Sequence, residues 1–277
     1  MDTASREQIK KLEHLKAYLK ELGNVAVAFS GGVDSAFLLK VAHDVLGEQA
    51  VAVTISADFF PDREKKEAVL FCQREGIRQV ICELKDWETE IEGFVQNPPD
   101  RCYLCKKEIL GRICKAAGER GIPYVVEGSN MDDDGDYRPG MRAIAELGIK
   151  SPLKACDMTK GDIRMLSKEL GLSTWEKPSF ACLASRFVYG ERITKEKLGM
   201  VERAEQLMME LGFIQFRVRI HGTMARIEIH PEQFPRLIEK TVREKITSEF
   251  KRIGFTYISL DLAGYRQGSM NETLHIE

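Results

Sequence analysis

The first 23 residues place apolar side chains at helical spacing among alternating charges, which predicts an amphipathic helix. The pattern then changes. Residues 25–30 (VAVAFS) are apolar almost without a break, as in a strand buried on both faces, and a Gly-Gly turn leads into a helical stretch from Asp34 to Leu46. Residues 50–56 (AVAVTIS) repeat the strand signal, a helix is expected over 61–75, and 78–83 and 123–128 read as third and fourth strands. Strands alternating with helices predict an α/β fold whose parallel sheet is covered on both faces. In the longer segment 84–122, Pro98-Pro99 is a break, and a helix is predicted to start just after Asp100.

Residues 129–142 (SNMDDDGDYRPGMR) are too polar and turn-rich for a regular element. They are expected as a loop at the carboxyl edge of the sheet, where function concentrates in such folds. A second loop, 176–194, is expected to join two domains, one over 1–187 and a smaller one over 188–277. The later pattern reads as helix (194–211), strand (213–220), strand (224–230), one or two helices (231–252) and strand (256–262). Alternation in RVRI and ARIEIH predicts antiparallel strands with one solvated face, hence a small α+β domain.

Composition narrows the function classes. The 277 residues hold 43% hydrophobic and 30% charged residues with a formal net charge of −2, and no apolar run is long enough to span a bilayer. The N-terminus lacks the apolar core and cleavage site of a secretory signal, so a cytoplasmic protein is expected. Neither the whole chain nor residues 190–277 carry the basic excess of nucleic-acid binders, which counts against an RNA substrate. Seven cysteines, an odd number without an export signal, are expected as thiols or ligands rather than a disulfide framework.

The densest chemistry is Ser30-Gly31-Gly32-Val33-Asp34-Ser35, directly after a buried strand and opening a helix. Two glycines let the backbone approach an anion, and the helix start with two hydroxyls supplies donors for phosphate oxygens. Gly-Gly alone would suit an ordinary capped turn; the whole string favours anion binding. It lacks the Lys-Ser/Thr of a Walker A loop. It matches instead the PP-loop of the ATP pyrophosphatases (adenine nucleotide alpha hydrolase-like fold), which release pyrophosphate and leave an adenylate. That resemblance implies that Ser30, Gly31, Gly32, Asp34 and Ser35 hold the departing pyrophosphate. Asp34 beside phosphates suggests Mg²⁺, since a carboxylate there otherwise meets only repulsion. Ala28, Phe29, Thr54 and Ser56 at the strand ends are candidates for the adenine and ribose of ATP, or plain strand residues. Arg63 opens the next helix and is a nucleotide candidate. Gly128 either lets the backbone approach AMP or is a simple turn glycine. Asp132, Asp133, Asp134 and Asp136 with Arg138 and Arg142 are either a solvated charge run or contacts to a phosphorylated, carboxylated substrate or a metal. Alternation puts Arg217 and Arg219 on one strand face, which with Glu205 suits a phosphate site, an exposed salt-bridged face or a subunit contact.

Taken together, SGGVDS, RCYLC, EGSNMDDDGDYRPG, EKPSFACLASRFVYG, RVRIHG and GFTYISLDLAGYRQGSMNE resemble the LarE family from about residue 10 to the end. These are ATP-dependent sulfur transferases that help make the nickel-pincer nucleotide cofactor of lactate racemase. The resemblance implies that a carboxylate of pyridinium-3,5-biscarboxylic acid mononucleotide is adenylated, AMP leaves and a thiocarboxylate remains. It also implies a homo-oligomer, with sulfide or another sulfur donor as the source. Cys182 matches the position that in many members gives up its own sulfur and becomes dehydroalanine, and Arg186 is a candidate to activate it or to bind substrate. The additional Cys102 and Cys105 resemble the branch in which three cysteines, here Cys102, Cys105 and Cys182, hold a 4Fe-4S cluster. Structural zinc and a persulfide-carrying redox pair are the alternatives for this set. Cys72, Cys82, Cys114 and Cys156 read as inert thiols. A tRNA-thiolating enzyme, an amide-forming NAD or GMP synthetase and a nucleotide sensor without turnover are the rival functions.

Overall fold

The computed structural model describes residues 5–133, 140–178, 181–266 and 268–273. In chain order the elements are α1 (Arg6–Leu22), β1 (Val25–Ala28), α2 (Val33–Leu46), β2 (Ala50–Ser56), α3 (Asp62–Glu75), β3 (Gln79–Glu83), α4 (Trp87–Glu90), α5 (Arg101–Gly118) and β4 (Tyr124–Val126). There follow α6 (Gly140–Glu146), α7 (Pro152–Ala155), α8 (Lys160–Glu169), α9 (Lys195–Glu210), β5 (Phe216–His221), β6 (Met224–Ile229), α10 (Phe234–Ile238), α11 (Lys240–Ile253) and β7 (Tyr257–Leu260). They form two compact units: Met1–Ala57, Asp62–Trp87 and Cys102–Phe180 make the first, and Asp58–Pro61, Glu88–Arg101 and Ala181–Glu277 the second. Among the described residues no helix is long and apolar enough to cross a membrane.

The first unit is built on a four-stranded sheet of order β3-β2-β1-β4, and every pairing is parallel, as the apolar runs predict. β1 and β2 carry side chains that are buried on both faces, because helices cover the sheet. α2 is buried along most of its length, packed on the sheet and against α1 and α8. α1 offers it the stripe Leu12, Leu15 and Leu19, spaced for one helix face. Ser5 and Gln8 close a reciprocal capping box at the start of α1, and Thr159 with Asp162 does the same for α8.

The second unit carries a three-stranded sheet of order β5-β6-β7. β5 and β6 are an antiparallel hairpin, whereas β7 returns after α10 and α11 to pair parallel with β6. The expected solvated face is absent from β5, whose residues 216–220 are all buried. α9 packs on it, and Phe187 bridges to Ile220 along its outer edge, so its polar side chains are enclosed. The early segments of this unit are tied to the late one. Phe59 packs on Phe94 with ring centroids 5.2 Å apart, and its carbonyl accepts the Leu183 N–H at 2.9 Å. The carbonyls of Val95 and Asn97 accept the N–H groups of Ile193 and Gly190. Buried Arg101 donates to the Asn97 side chain and to the Ala184 carbonyl, and the Asn97 amide donates to the Val188 carbonyl at 2.6 Å.

Candidate functional site

β1 delivers the chain to a tight turn. The Phe29 N–H still bonds the Val53 carbonyl at 2.9 Å, after which Gly31 adopts φ +77°, a conformation that favours glycine. A Cβ at Gly31 would also come within 3.3 Å of the Ala68 Cβ. Gly32 is the N-cap of α2, and among the described residues no side chain caps that helix start. Its first N–H groups therefore point out of the helix toward any anion placed before it. Ser30 and Ser35 converge there: their hydroxyls lie 3.1 Å apart, the Ser35 hydroxyl donates to the Gly32 carbonyl at 3.1 Å, and the Gly32 N–H donates to the Ser30 hydroxyl at 3.4 Å. The six-residue string thus forms one compact cradle of hydroxyls and amides.

Two lysines and one neutral amide that partner this cradle carried no signal in the local sequence. The Lys160 ammonium contacts Asp34 Oδ2, while the Asn130 amide donates to Oδ1 at 3.4 Å. Burial raises the Asp34 carboxyl above its usual range and Lys160 only partly offsets this, with Asp133 adding repulsion. Lys160 opens α8, and its own N–H donates to Asp132 at 2.7 Å, so the acidic loop and Asp34 meet at one helix start. Lys177 reaches the carbonyl of Gly31 at 3.0 Å and the carboxylates of Glu64 and Glu67 at 2.6 and 2.7 Å. Lys160 and Lys177 lie 126 and 146 positions from their cradle partners, which is why neighbouring residues gave no hint of them.

Gly128 is placed by β4 against this cradle. A Cβ there would lie 3.0 Å from the Ser35 nitrogen and 3.3 Å from the Asp34 Cβ. Its neighbour Glu127 is buried and accepts hydrogen bonds from the Ser129 N–H, the Ser129 hydroxyl and the Ser151 hydroxyl, which fixes the exit of the strand. Ala28 ends β1, and Thr54 and Ser56 lie toward the end of β2; the Thr54 hydroxyl accepts from Gln79 at 2.9 Å, and the Ser56 carbonyl accepts the Leu84 N–H. Arg63 sits in the first turn of α3, within 3.3 Å of Glu64 and 3.5 Å of Glu67. Arg142 stacks over the Tyr103 ring, 3.5 Å from its centroid, and pairs with Glu146. Asp134, Asp136 and Arg138 lie outside the described residues.

The second unit gathers Arg186, Glu205, Arg217 and Arg219. Arg186 is 1% exposed and grips Glu205 with two parallel bonds of 2.7 and 2.8 Å. Its remaining nitrogen donates to the carbonyls of Ala181 and Cys182 and to the Ser185 hydroxyl. Burial works against the Glu205 charge, but Arg186 outweighs it and holds that carboxyl below its usual range. Arg219 makes a similar fork to fully buried Glu228, which Ser269 also bonds, and donates to the Ser185 carbonyl. Arg217 donates to the Phe216 carbonyl and lies 5.2 Å from the Tyr265 ring centroid, its pKa lowered by burial and by the Arg186 charge. Arg217 and Arg219 share one face of β5, as the alternation predicts, and both are buried there.

The Arg186–Glu205 pair yields a stability prediction. Arg186→Met strands a buried carboxylate and should cost about 3–5 kcal/mol, whereas removing both charges as Arg186→Met/Glu205→Met should recover most of that loss. Denaturant unfolding of the three proteins checks it. The contribution of Glu205 is full above the ordinary glutamate range and is lost as pH falls through its depressed pKa.

Residues 8–113 match the family model described as NAD synthase. The chain is 41% identical over 265 residues to an uncharacterised protein of Synechocystis, spanning 95% of this chain and 98% of that one. It is 30% identical over 261 residues to an uncharacterised protein of Methanocaldococcus jannaschii, spanning 93% and 98%. Over 261 residues it is 37% identical to the pyridinium-3,5-bisthiocarboxylic acid mononucleotide synthase of Lactiplantibacillus plantarum, spanning 94% of this chain and 93% of that one. The chain belongs to the LarE family. It is an enzyme of the PP-loop ATP pyrophosphatases, which bind ATP.

The cysteines of this LarE chain divide by environment. Burial pushes the thiols of Cys72 and Cys156 up to about 12 and about 11, and raises those of Cys82 and Cys114, so these four are poor nucleophiles at neutral pH. Cys102 is exposed, and Cys105 and Cys182 are half-buried. Cys102 and Cys105 lie in the first two turns of α5, three positions apart and hence on one face. Cys182 belongs to the second unit, immediately before the turn 183–186, and its carbonyl accepts from Ser185 and Arg186. Among the described residues no group of three or more His, Cys, Asp or Glu side chains is gathered to hold a metal ion.

Proposed function

We propose that this LarE-family enzyme adenylates a carboxylate of pyridinium-3,5-biscarboxylic acid mononucleotide and converts it to a thiocarboxylate for the nickel-pincer cofactor of lactate racemase. The relative named as the synthase of the bisthiocarboxylate supports the substrate, and the hydroxyl-and-amide cradle at the start of α2 is the observation that carries the ATP step. A substrate carboxylate oxygen attacks the α-phosphorus of ATP, and the bond to the bridging oxygen breaks as pyrophosphate leaves into the cradle of Ser30, Gly31, Gly32 and Ser35. Helix N–H groups and hydroxyls stabilise the charge that develops there. Ala28, Thr54, Ser56, Arg63 and Gly128 are assigned to the nucleotide, and Asp136, Arg138 and Arg142 to the substrate.

Asp34 suits Mg²⁺. Its carboxylate stands at the cradle and already attracts one cation, the Lys160 ammonium. The ion would neutralise charge on the phosphates. The mixed anhydride makes AMP the leaving group, and a sulfur nucleophile at the acyl carbon completes the exchange. We assign delivery of that sulfur to Cys182, Cys102 and Cys105 together, as the three protein ligands of a 4Fe-4S cluster. Three thiols suit such a cluster and fall short of the four protein ligands that close a structural zinc site. When bound, the cluster would offer one iron without a protein ligand to inorganic sulfide. The proposal places the enzyme in the cytoplasm as a homo-oligomer.

Pyrophosphate release from ATP, measured with the pyridinium mononucleotide, with tRNA and with neither, tests the substrate. Release only with the pyridinium compound supports the proposal, and release only with tRNA overturns it. Glu205, Arg217 and Arg219 are assigned to substrate binding, the two arginines to the phosphate of the mononucleotide and Glu205 to holding the site in place through Arg186 and the Val218 N–H. Arg217→Met should raise the KM for that substrate several-fold to about a hundredfold, as expected for one charged hydrogen-bonding partner, and leave the KM for ATP unchanged. Arg217 is the arginine to test, because Arg219→Met would also remove the two-bond fork to buried Glu228 and leave that carboxylate with only Arg226 and Ser269 among the described residues.

A further inference from the structure

Lys177 is 12% exposed at its side chain and lies in the segment after α8, far in sequence from the phosphate cradle it touches. Its ammonium has three acceptors: the Gly31 carbonyl at 3.0 Å, Glu64 at 2.6 Å and Glu67 at 2.7 Å. The peptide between Gly31 and Gly32 is trans, so a carbonyl turned toward Lys177 points its N–H the opposite way, toward the Ser30 hydroxyl that it meets at 3.4 Å. Gly31 has the conformational freedom to let that peptide rotate, which would swap an N–H donor for a carbonyl oxygen at the cradle. A phosphate would then face a repulsive dipole in place of a donor.

We infer that Lys177 is a positioning residue that locks the Gly31–Gly32 peptide in its donor-inward orientation and so sets the affinity of the cradle for pyrophosphate. The inference rests on the assignment of the cradle to pyrophosphate made above. Charge counting supports it. Arg63 and Lys177 face Glu64 and Glu67, a balanced set at the wall of the cradle. Without Lys177 the set carries a net negative charge beside a site for an anion, so the loss of orientation and the added repulsion act in the same direction. Removal of a merely structural lysine would instead weaken every ligand together or none.

The test is binding of inorganic pyrophosphate and of AMP, each with Mg²⁺, to the intact wild-type protein and to Lys177→Met, Lys177→Arg and Glu67→Gln, by calorimetry. Lys177→Met should bind pyrophosphate about tenfold more weakly or worse, the scale of one charge-assisted contact, with AMP affinity unchanged. Lys177→Arg should restore most of the loss. Glu67→Gln leaves Lys177 held by Glu64 and the Gly31 carbonyl, and should bind pyrophosphate as well as wild type or better. Equal pyrophosphate binding by wild type and Lys177→Met overturns the inference, as does a parallel loss of AMP. A loss in Glu67→Gln matching that of Lys177→Met also overturns it, and this variant decides the matter should Lys177→Met fail to fold. A wild-type protein that binds AMP but no pyrophosphate removes the assignment of the cradle itself, a result separate from either failure of Lys177.

Discussion

Asp34→Ala should leave a folded protein that releases pyrophosphate from ATP at least about 10²-fold more slowly than wild type, the scale of losing one preorganised electrostatic contact to the reacting phosphates. The fold tolerates the change because Asp34 is a half-buried residue in the first turn of α2, outside the apolar core of that helix. Function does not, because the carboxylate is the group to which Lys160 and Asn130 are both directed. Asp34→Asn separates charge from shape: it keeps a side-chain oxygen for hydrogen bonding but has no charge for a metal. A loss in Asp34→Asn close to that in Asp34→Ala assigns the effect to charge. Burial raises the Asp34 carboxyl above its usual range, and the ionised form is the active one, so adenylation should decline as pH falls through that raised value. Pyrophosphate release across a pH series, normalised to folded protein, measures both effects. A fully active Asp34→Ala protein would remove the cradle from the mechanism.

Cys182→Ala should abolish thiocarboxylate formation while ATP–pyrophosphate exchange continues, because the change removes the sulfur step and leaves the cradle of the first unit untouched. The buried cysteines cannot replace it, since the Cys72 and Cys156 thiols are pushed up to about 12 and about 11. Cys102→Ala and Cys105→Ala distinguish how sulfur arrives. If the three cysteines share a cluster, anaerobic reconstitution gives about four irons per chain, and each of the three substitutions loses the iron and multiple turnover together. If Cys182 gives up its own sulfur, the Cys102 and Cys105 variants keep one full turnover, and mass spectrometry finds dehydroalanine at position 182. Reconstitution without iron uptake rejects the cluster; thiocarboxylate made by Cys182→Ala rejects Cys182 as the sulfur-bearing residue.

Much of the first unit was legible because its strands are continuous apolar runs and its cradle is contiguous in sequence. VAVAFS followed by SGGVDS announces strand, turn and helix, and each appears within a residue or two of its expected bounds. The helix expected after Asp100 begins at Arg101. What stayed hidden depends on long-range contact. Lys160 and Lys177 resemble ordinary surface lysines until the fold brings them to Asp34 and Gly31. Alternation placed Arg217 and Arg219 on one face of β5, but a period of two does not reveal what covers that face. Here α9 and the 183–187 segment enclose it, with Glu205 and Glu228 supplying the buried counter-charges. The parallel return of β7 was equally unreadable, since strand direction depends on the path of the intervening helices.

During synthesis, a ribosome would emit Phe59, Val95, Asn97 and Arg101 well before the stretch that begins at Ala181. The N–H groups of Leu183, Gly190 and Ile193 and the carbonyls of Ala184 and Val188, to which those early residues bond, would not yet exist. The second unit must therefore wait for nearly the whole chain, holding an arginine and an asparagine in water that the finished protein buries. A C-terminal piece made by itself from Ala181 onward would begin life without the strands of sequence on which its interior closes.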